Sequence, residues 1–139
     1  MPSRVADTPA APSADALRHF ATALTFETDC WDVHDALSRA ADFVLIDVRS
    51  PAAFARGHVP GAINLPHAKI IAARLAHHAP GTLFVVYCAG PHCNGAHRGA
   101  IRLAQLGLPV KLMIGGMTGW LDEGLPVECG DARPGTVAS

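Results

Sequence analysis

The chain has 139 residues, half of them hydrophobic, with a formal net charge of −1 and only 6% aromatic residues. That length accommodates one domain with a real core but not comfortably two. With no basic run and few aromatics for base stacking, no nucleic-acid partner is expected, and no window approaches the ~20 apolar residues of a membrane span.

Residues 1–13, MPSRVADTPAAPS, are rich in Ala, Pro and Ser. Prolines and an aspartate interrupt the apolar core that a signal peptide needs. The segment is expected to be a disordered leader on a cytoplasmic protein, followed by a single domain over 14–128. SADALRHFATAL opens on a Ser cap with an amphipathic pattern and predicts a helix. LTFETD (24–29) reads as a turn or the end of that helix, and DVHDALSRAA as a second helix. FVLIDV (43–48) is nearly continuously apolar, which suits a strand buried on both faces of a parallel sheet. GAINLP (61–66) offers a shorter strand, and HAKIIAARLAHHA a helix that ends before Pro80. LFVVYC (83–88) repeats the buried-strand pattern. AHRGAIRLAQLG predicts a helix stopped at Gly107. VKLMIGG (110–116) is a further strand and MTGWLDEG a last short helix. Residues 129–139, CGDARPGTVAS, are expected to form a flexible tail. Strands and helices in alternation argue for a single α/β domain.

The four cysteines are Cys30, Cys88, Cys93 and Cys129. Without a secretion signal, reactive or metal-binding thiols gain weight over disulfides. Ligands of open α/β sheets bind beyond the carboxyl ends of the strands, and Cys88 ends the strongest strand. Behind it, Ala89, Gly90, Pro91, His92, Asn94 and Gly95 form a loop whose composition lets successive N–H groups turn inward. The helix starting near Ala96 points its positive end at the same place. Such a setting lowers a thiol pKa and cradles an anion, so Cys88 is a candidate nucleophile; a buried, inert strand-end cysteine is the plainer alternative. Cys93 is a candidate resolving thiol, an alternative nucleophile nearer the helix start, or a spectator. Cys88, His92, Cys93 and His97 are zinc-compatible types, but their spacing matches no recognised zinc pattern, and adjacent His92 and Cys93 would strain to reach one ion. No metal is therefore expected. Asp47 and Arg49 fall on the same rim as Cys88, where an ion pair bracing the loops is favoured over direct catalysis. His58 reads as a loop-bracing residue. His77 and His78 are placed at a helix end, where a cation suits the dipole. Trp31 and Trp120 are read as packing residues.

FVLIDVRSPAAFARGHVPGAINLP, then VVYCAG running into RLAQLGLPVKLMIGGMTGW, resembles a rhodanese (sulfurtransferase) domain over roughly residues 28–128. The strand-DVR, GHVPGAINLP, strand-YC and GG…GW motifs occur in the family's order. The resemblance implies a three-layer sandwich: a central parallel sheet of about five strands with helices on both faces. It implies that Cys88 takes the sulfane sulfur of a thiosulfate-like or persulfide donor and carries it as a persulfide to a thiol or cyanide acceptor. Loop amides would stabilise the anionic sulfur, and neither metal nor organic cofactor would be needed. A non-catalytic binding or redox-sensing module with a Cys88/Cys93 switch is the rival expectation. Two departures stand out. The usual Glu before Phe is Ala53, and the loop is about two residues longer than the family's, with no Lys or Arg before Arg98. A longer, uncharged loop predicts a wider pocket with weaker attraction for the thiosulfate dianion. A phosphatase reading fails because a Cys-x5-Arg loop is missing: Asn94 and Gly99 stand six residues beyond Cys88 and Cys93.

Overall fold

The computed structural model describes residues 1–131, and the part of the expected tail at 132–139 lies outside the described residues. In chain order the elements are α1 (Arg4–Asp7), α2 (Ser13–Phe26), β1 (Glu27–Thr28), α3 (Cys30–Ser38), β2 (Phe43–Asp47), α4 (Pro51–Arg56) and β3 (Ile63–Asn64). A 3-10 turn (His67–Lys69), α5 (Ala72–Leu75), β4 (Leu83–Tyr87), α6 (Gly95–Gln105), β5 (Val110–Met113) and α7 (Gly116–Asp122) complete the fold. The five strands form one sheet in the order β1-β5-β4-β2-β3, with every pairing parallel. This is the α/β arrangement with a central five-stranded parallel sheet that the sequence predicts.

Successive side chains of a strand point to opposite faces, and both faces here are apolar. Leu45, Val85, Tyr87 and Met113 pack on one side with Val33, Phe54, Met117 and Trp120 from α3, α4 and α7. Ile46, Phe84 and Val86 pack on the other with Leu75 of α5 and Ala96 and Leu103 of α6. Two buried faces explain why the strands read as continuous apolar runs rather than alternating ones. Helix α2 contributes no buried residue, and its Leu17, Phe20 and Leu24 are exposed.

Two local readings change, and one helix appears where the sequence reading named no element. LTFETD splits: its first half completes α2, while Glu27–Thr28 pairs with β5 as an edge strand. Two residues are too few to carry a periodic signal. The helix expected over HAKIIAARLAHHA is broken into the 3-10 turn and the four-residue α5, separated at Ile70 and Ile71. Burying Ile70 in the core beside Leu75 and Leu103 takes precedence over unbroken helical hydrogen bonding. Finally, PAAFAR forms α4. The Ser50 side chain accepts a hydrogen bond from the Ala53 N–H, and Pro51 occupies the first helical position. Both are recognised start signals.

Candidate active site

Strand β4 is central, paired on one side with β2 and on the other with β5. Cys88 follows its last residue, at the carboxyl end of the sheet, and its side chain is buried. The chain then turns through residues 89–94 into α6. Within the turn the Cys93 N–H donates to the Gly90 carbonyl at 3.1 Å. The loop is also clamped from outside. The N–H groups of Met117 and Thr118, in the first turn of α7, donate to the carbonyls of Cys88 (2.9 Å) and Ala89 (2.8 Å), and the Thr118 hydroxyl also reaches Ala89 (3.0 Å). Gly116 makes this approach possible. Its φ is +59°, and a Cβ there would lie 2.6 Å from the Cys88 oxygen and 2.8 Å from the Gly90 nitrogen. An L side chain is disfavoured at that φ, and no atom fits in that space.

Cys88 and Cys93 are joined as a disulfide, with their Cα atoms 6.5 Å apart. The Gly95 N–H, at the start of α6, donates to the Cys93 sulfur at 3.4 Å. A Cβ on Gly95 would lie 2.8 Å from the Cys88 sulfur and 3.3 Å from the Cys93 sulfur, so glycine is what lets both sulfurs sit against the helix. Asn94, the residue before α6, does not cap it with its side chain; its Oδ1 instead accepts from Arg98 Nε at 3.3 Å.

A cavity of about 220 Å³ opens beside the sulfurs, lined by Cys88, Cys93, Gly90, Pro91 and Ala96, by His97 of α6, and across from them by Glu27 of β1 and residues 112–116. Among the described residues its charged and imidazole lining is thus one carboxylate and one imidazole. Neither residue is legible in the sequence as part of the site. Glu27 depends on the edge strand, and His97 draws notice there only as a zinc-compatible type. His92, Ala89 and Asn94 are exposed, and none of the three lines this cavity.

Asp47, the buried last residue of β2, forms an ion pair with the partly buried Arg49 just beyond it, Nη2 to Oδ2 at 2.7 Å. Arg49 Nε lies 3.0 and 3.1 Å from the two carboxylate oxygens, and Nη2 also donates to the Gly57 carbonyl at 2.6 Å. Burial alone would lower the Arg49 pKa, but the Asp47 partner reverses that and holds it above the ordinary value. The Tyr87 hydroxyl donates to Asp47 Oδ2 at 2.6 Å and accepts from the Val59 N–H at 3.1 Å. Burial, and then the Asp47 charge, push the Tyr87 pKa far up. This buried cluster ties β2, β4 and the loop after α4 together directly behind Cys88. His58 stacks on Phe54 with centroids 3.6 Å apart, and its Nδ1 is 2.8 Å from the Phe54 carbonyl oxygen. Its backbone pairs with Glu128.

Elsewhere, Trp120 is fully buried and donates to the Pro126 carbonyl at 2.7 Å, whereas Trp31 is half exposed and donates to Glu123 at 3.0 Å. His77 and His78 lie beyond the end of a helix rather than in its last turn. The helix ends at Leu75, and burial followed by the His77 charge lowers the His78 pKa. Cys30 is buried with its sulfur 3.6 Å from the Ile114 carbonyl oxygen, and burial, then Asp29 and Glu123, push its thiol up to about 11. Such a thiol stays protonated and is a poor nucleophile.

A family model described as a Rhodanese-like domain matches residues 31–123. The chain is 41% identical over 92 residues to an HTH-type transcriptional regulator of Mycobacterium tuberculosis, a match spanning 66% of this chain but only 40% of that protein's length. It is 31% identical over 104 residues to a sulfurtransferase of Allochromatium vinosum, covering 73% of this chain and 92% of the relative. A Bacillus halodurans protein of known crystal structure superposes with a TM-score of 0.81 at 34% identity, over 85% of this chain and 87% of that one. A thiosulfate sulfurtransferase from Pseudomonas aeruginosa superposes with a TM-score of 0.64 at 25% identity, over 86% of this chain and 22% of that one.

Proposed function

The chain belongs to the rhodanese-like family, and on that footing we propose that it is a sulfurtransferase whose sulfur carrier is Cys88. The observation that carries the proposal is the cavity beside Cys88, at the carboxyl end of a central parallel strand and at the head of α6. Two external thiols, which become a disulfide, reduce the Cys88–Cys93 bond and free the carrier. The Cys88 thiolate attacks the outer sulfur of a donor R–S–SH. A bond forms between the Cys88 sulfur and that atom, the donor's S–S bond breaks, and RS⁻ departs with the electron pair. An acceptor thiolate or cyanide then attacks the outer sulfur and releases Cys88 as thiolate. The field at the head of α6 favours the thiolate. Gly95 and Gly116 keep the space and the loop shape that the attack requires, while the Asp47–Arg49–Tyr87 cluster fixes the strand ends behind it.

The lining favours a persulfide donor over thiosulfate. Among the described residues it holds Glu27 and His97 but no Lys or Arg, so a dianion entering it meets a carboxylate and no permanent counter-charge. A persulfide carries at most one charge and presents the same outer sulfur.

The test is turnover. With glutathione persulfide as donor and cyanide as acceptor, reduced Cys93→Ser protein forms thiocyanate above the uncatalysed rate, and adding Cys88→Ser abolishes the excess. Thiocyanate formation that survives Cys88→Ser would end the proposal. The paired cysteines also fit a redox-sensing module, but that reading leaves the cavity beside them without a use.

A further inference from the structure

Cys93 adds a chemistry that simple sulfur transfer does not need. Its sulfur is already within bonding reach of Cys88, on a loop of five residues' separation, with Cα atoms 6.5 Å apart. That spacing lies in the range a disulfide requires. Its sulfur accepts the Gly95 N–H at the positive end of an eleven-residue helix, a setting that favours the thiolate. Both cysteines line the same cavity, so a sulfur loaded onto Cys88 has Cys93 as its nearest thiol. An intramolecular thiol held in place outcompetes a free one, with effective concentrations reaching about 10⁵ M or more in well-oriented cases.

Resting on the Cys88 carrier reading, we propose that this protein releases its sulfur as hydrosulfide by internal resolution, so that the site acts as a dithiol-dependent sulfane-sulfur reductase. Cys93, having lost its proton to solvent, attacks the Cys88 sulfur of Cys88–S–SH. The Cys88–Cys93 bond forms, the S–S bond between the Cys88 sulfur and the outer sulfur breaks, and the outer sulfur leaves with the electron pair as HS⁻. The sulfane sulfur gains two electrons and the two cysteine thiolates lose them. The product is the disulfide present in the structure. A further cycle needs an external thiol or dithiol protein, which exchanges onto the pair and restores both thiols.

The reaction is read in a single turnover. Reduced, desalted protein is mixed anaerobically with a small excess of glutathione persulfide and no other thiol. Hydrosulfide is trapped and the intact mass recorded. Wild type is expected to release about one equivalent of hydrosulfide per chain, by the stoichiometry of the exchange, above the Cys93→Ser blank, and to end two hydrogens lighter. Peptide mapping then finds Cys88 linked to Cys93. Cys93→Ser, and separately Cys93→Ala, accumulate one added sulfur on Cys88, with hydrosulfide release at least about tenfold slower. A wild-type protein that keeps the added sulfur and releases no more hydrosulfide than Cys93→Ser overturns the inference and leaves the carrier reading standing. If wild type and both Cys93 variants fail to load sulfur, both ideas fall.

Discussion

Two glycines and a tyrosine carry much of the site's geometry. Gly95→Ala places a methyl 2.8 Å from the Cys88 sulfur. A displacement of that kind at a reacting atom costs up to about a hundredfold, so sulfur loading of Cys88 in a Cys93→Ser background, followed by intact mass against time, is expected to slow by at least about tenfold. Unaltered loading would mean that Gly95 does not set the position of the sulfur. Tyr87→Phe removes the hydroxyl that joins Asp47 to the Val59 N–H. Two buried groups lose a partner, and a loss of about 1–3 kcal/mol in urea denaturation is expected. Retained stability would show that water or another group takes the hydroxyl's place. At this scale the sequence was informative about Cys88, Cys93, Asp47 and Arg49, because each sits in a short motif whose chemistry is local. Glu27, His97 and Tyr87 were not legible as site or support residues, since what they do depends on strand pairing and on a loop arriving from elsewhere in the chain.

The elements bear out the alternating pattern and show where periodicity misleads. Buried strands gave a strong signal because both sheet faces are covered. HAKIIAARLAHHA is apolar and free of breakers, yet it splits where Ile70 must reach the core. Helix α4 is only six residues long and has no amphipathic repeat to read. Its evidence is the cap instead: Ser50→Ala removes the side-chain bond to the Ala53 N–H and is expected to cost about 1 kcal/mol. Equilibrium unfolding would detect that, and an unchanged midpoint would show that tertiary packing alone holds α4. Helix α7 has a second task beyond packing Trp120, because its first turn clamps the loop after Cys88. Gly116→Ala should therefore lower both stability and sulfur loading, whereas Ser50→Ala should lower stability alone.

Across the whole molecule the site and the histidine with the lowered pKa lie at opposite ends of the sheet. Cys88 stands at the carboxyl end of β4, while His78 packs edge-on to Phe84 near the strand's start, with ring centroids 5.4 Å apart. The His78 pKa is lowered by burial and then by His77, so the unfolded chain holds the proton more tightly than the folded one. The stability tied to this group is therefore complete above the ordinary histidine value and declines as pH falls below it. His78→Leu is expected to flatten the drop in urea midpoint between about pH 7.5 and about pH 5, and parallel drops in the two proteins would reject the assignment. Because that end is remote from Cys88, sulfur chemistry should be unaffected by the change. The central claim is that Cys88 carries the sulfur, and the intact mass of reduced Cys93→Ser after exposure to glutathione persulfide tests it most directly. One added sulfur, removed by reductant and located on the Cys88 peptide, is the predicted result. No added sulfur, in a folded protein whose Cys88 still reacts with an alkylating reagent, would contradict it.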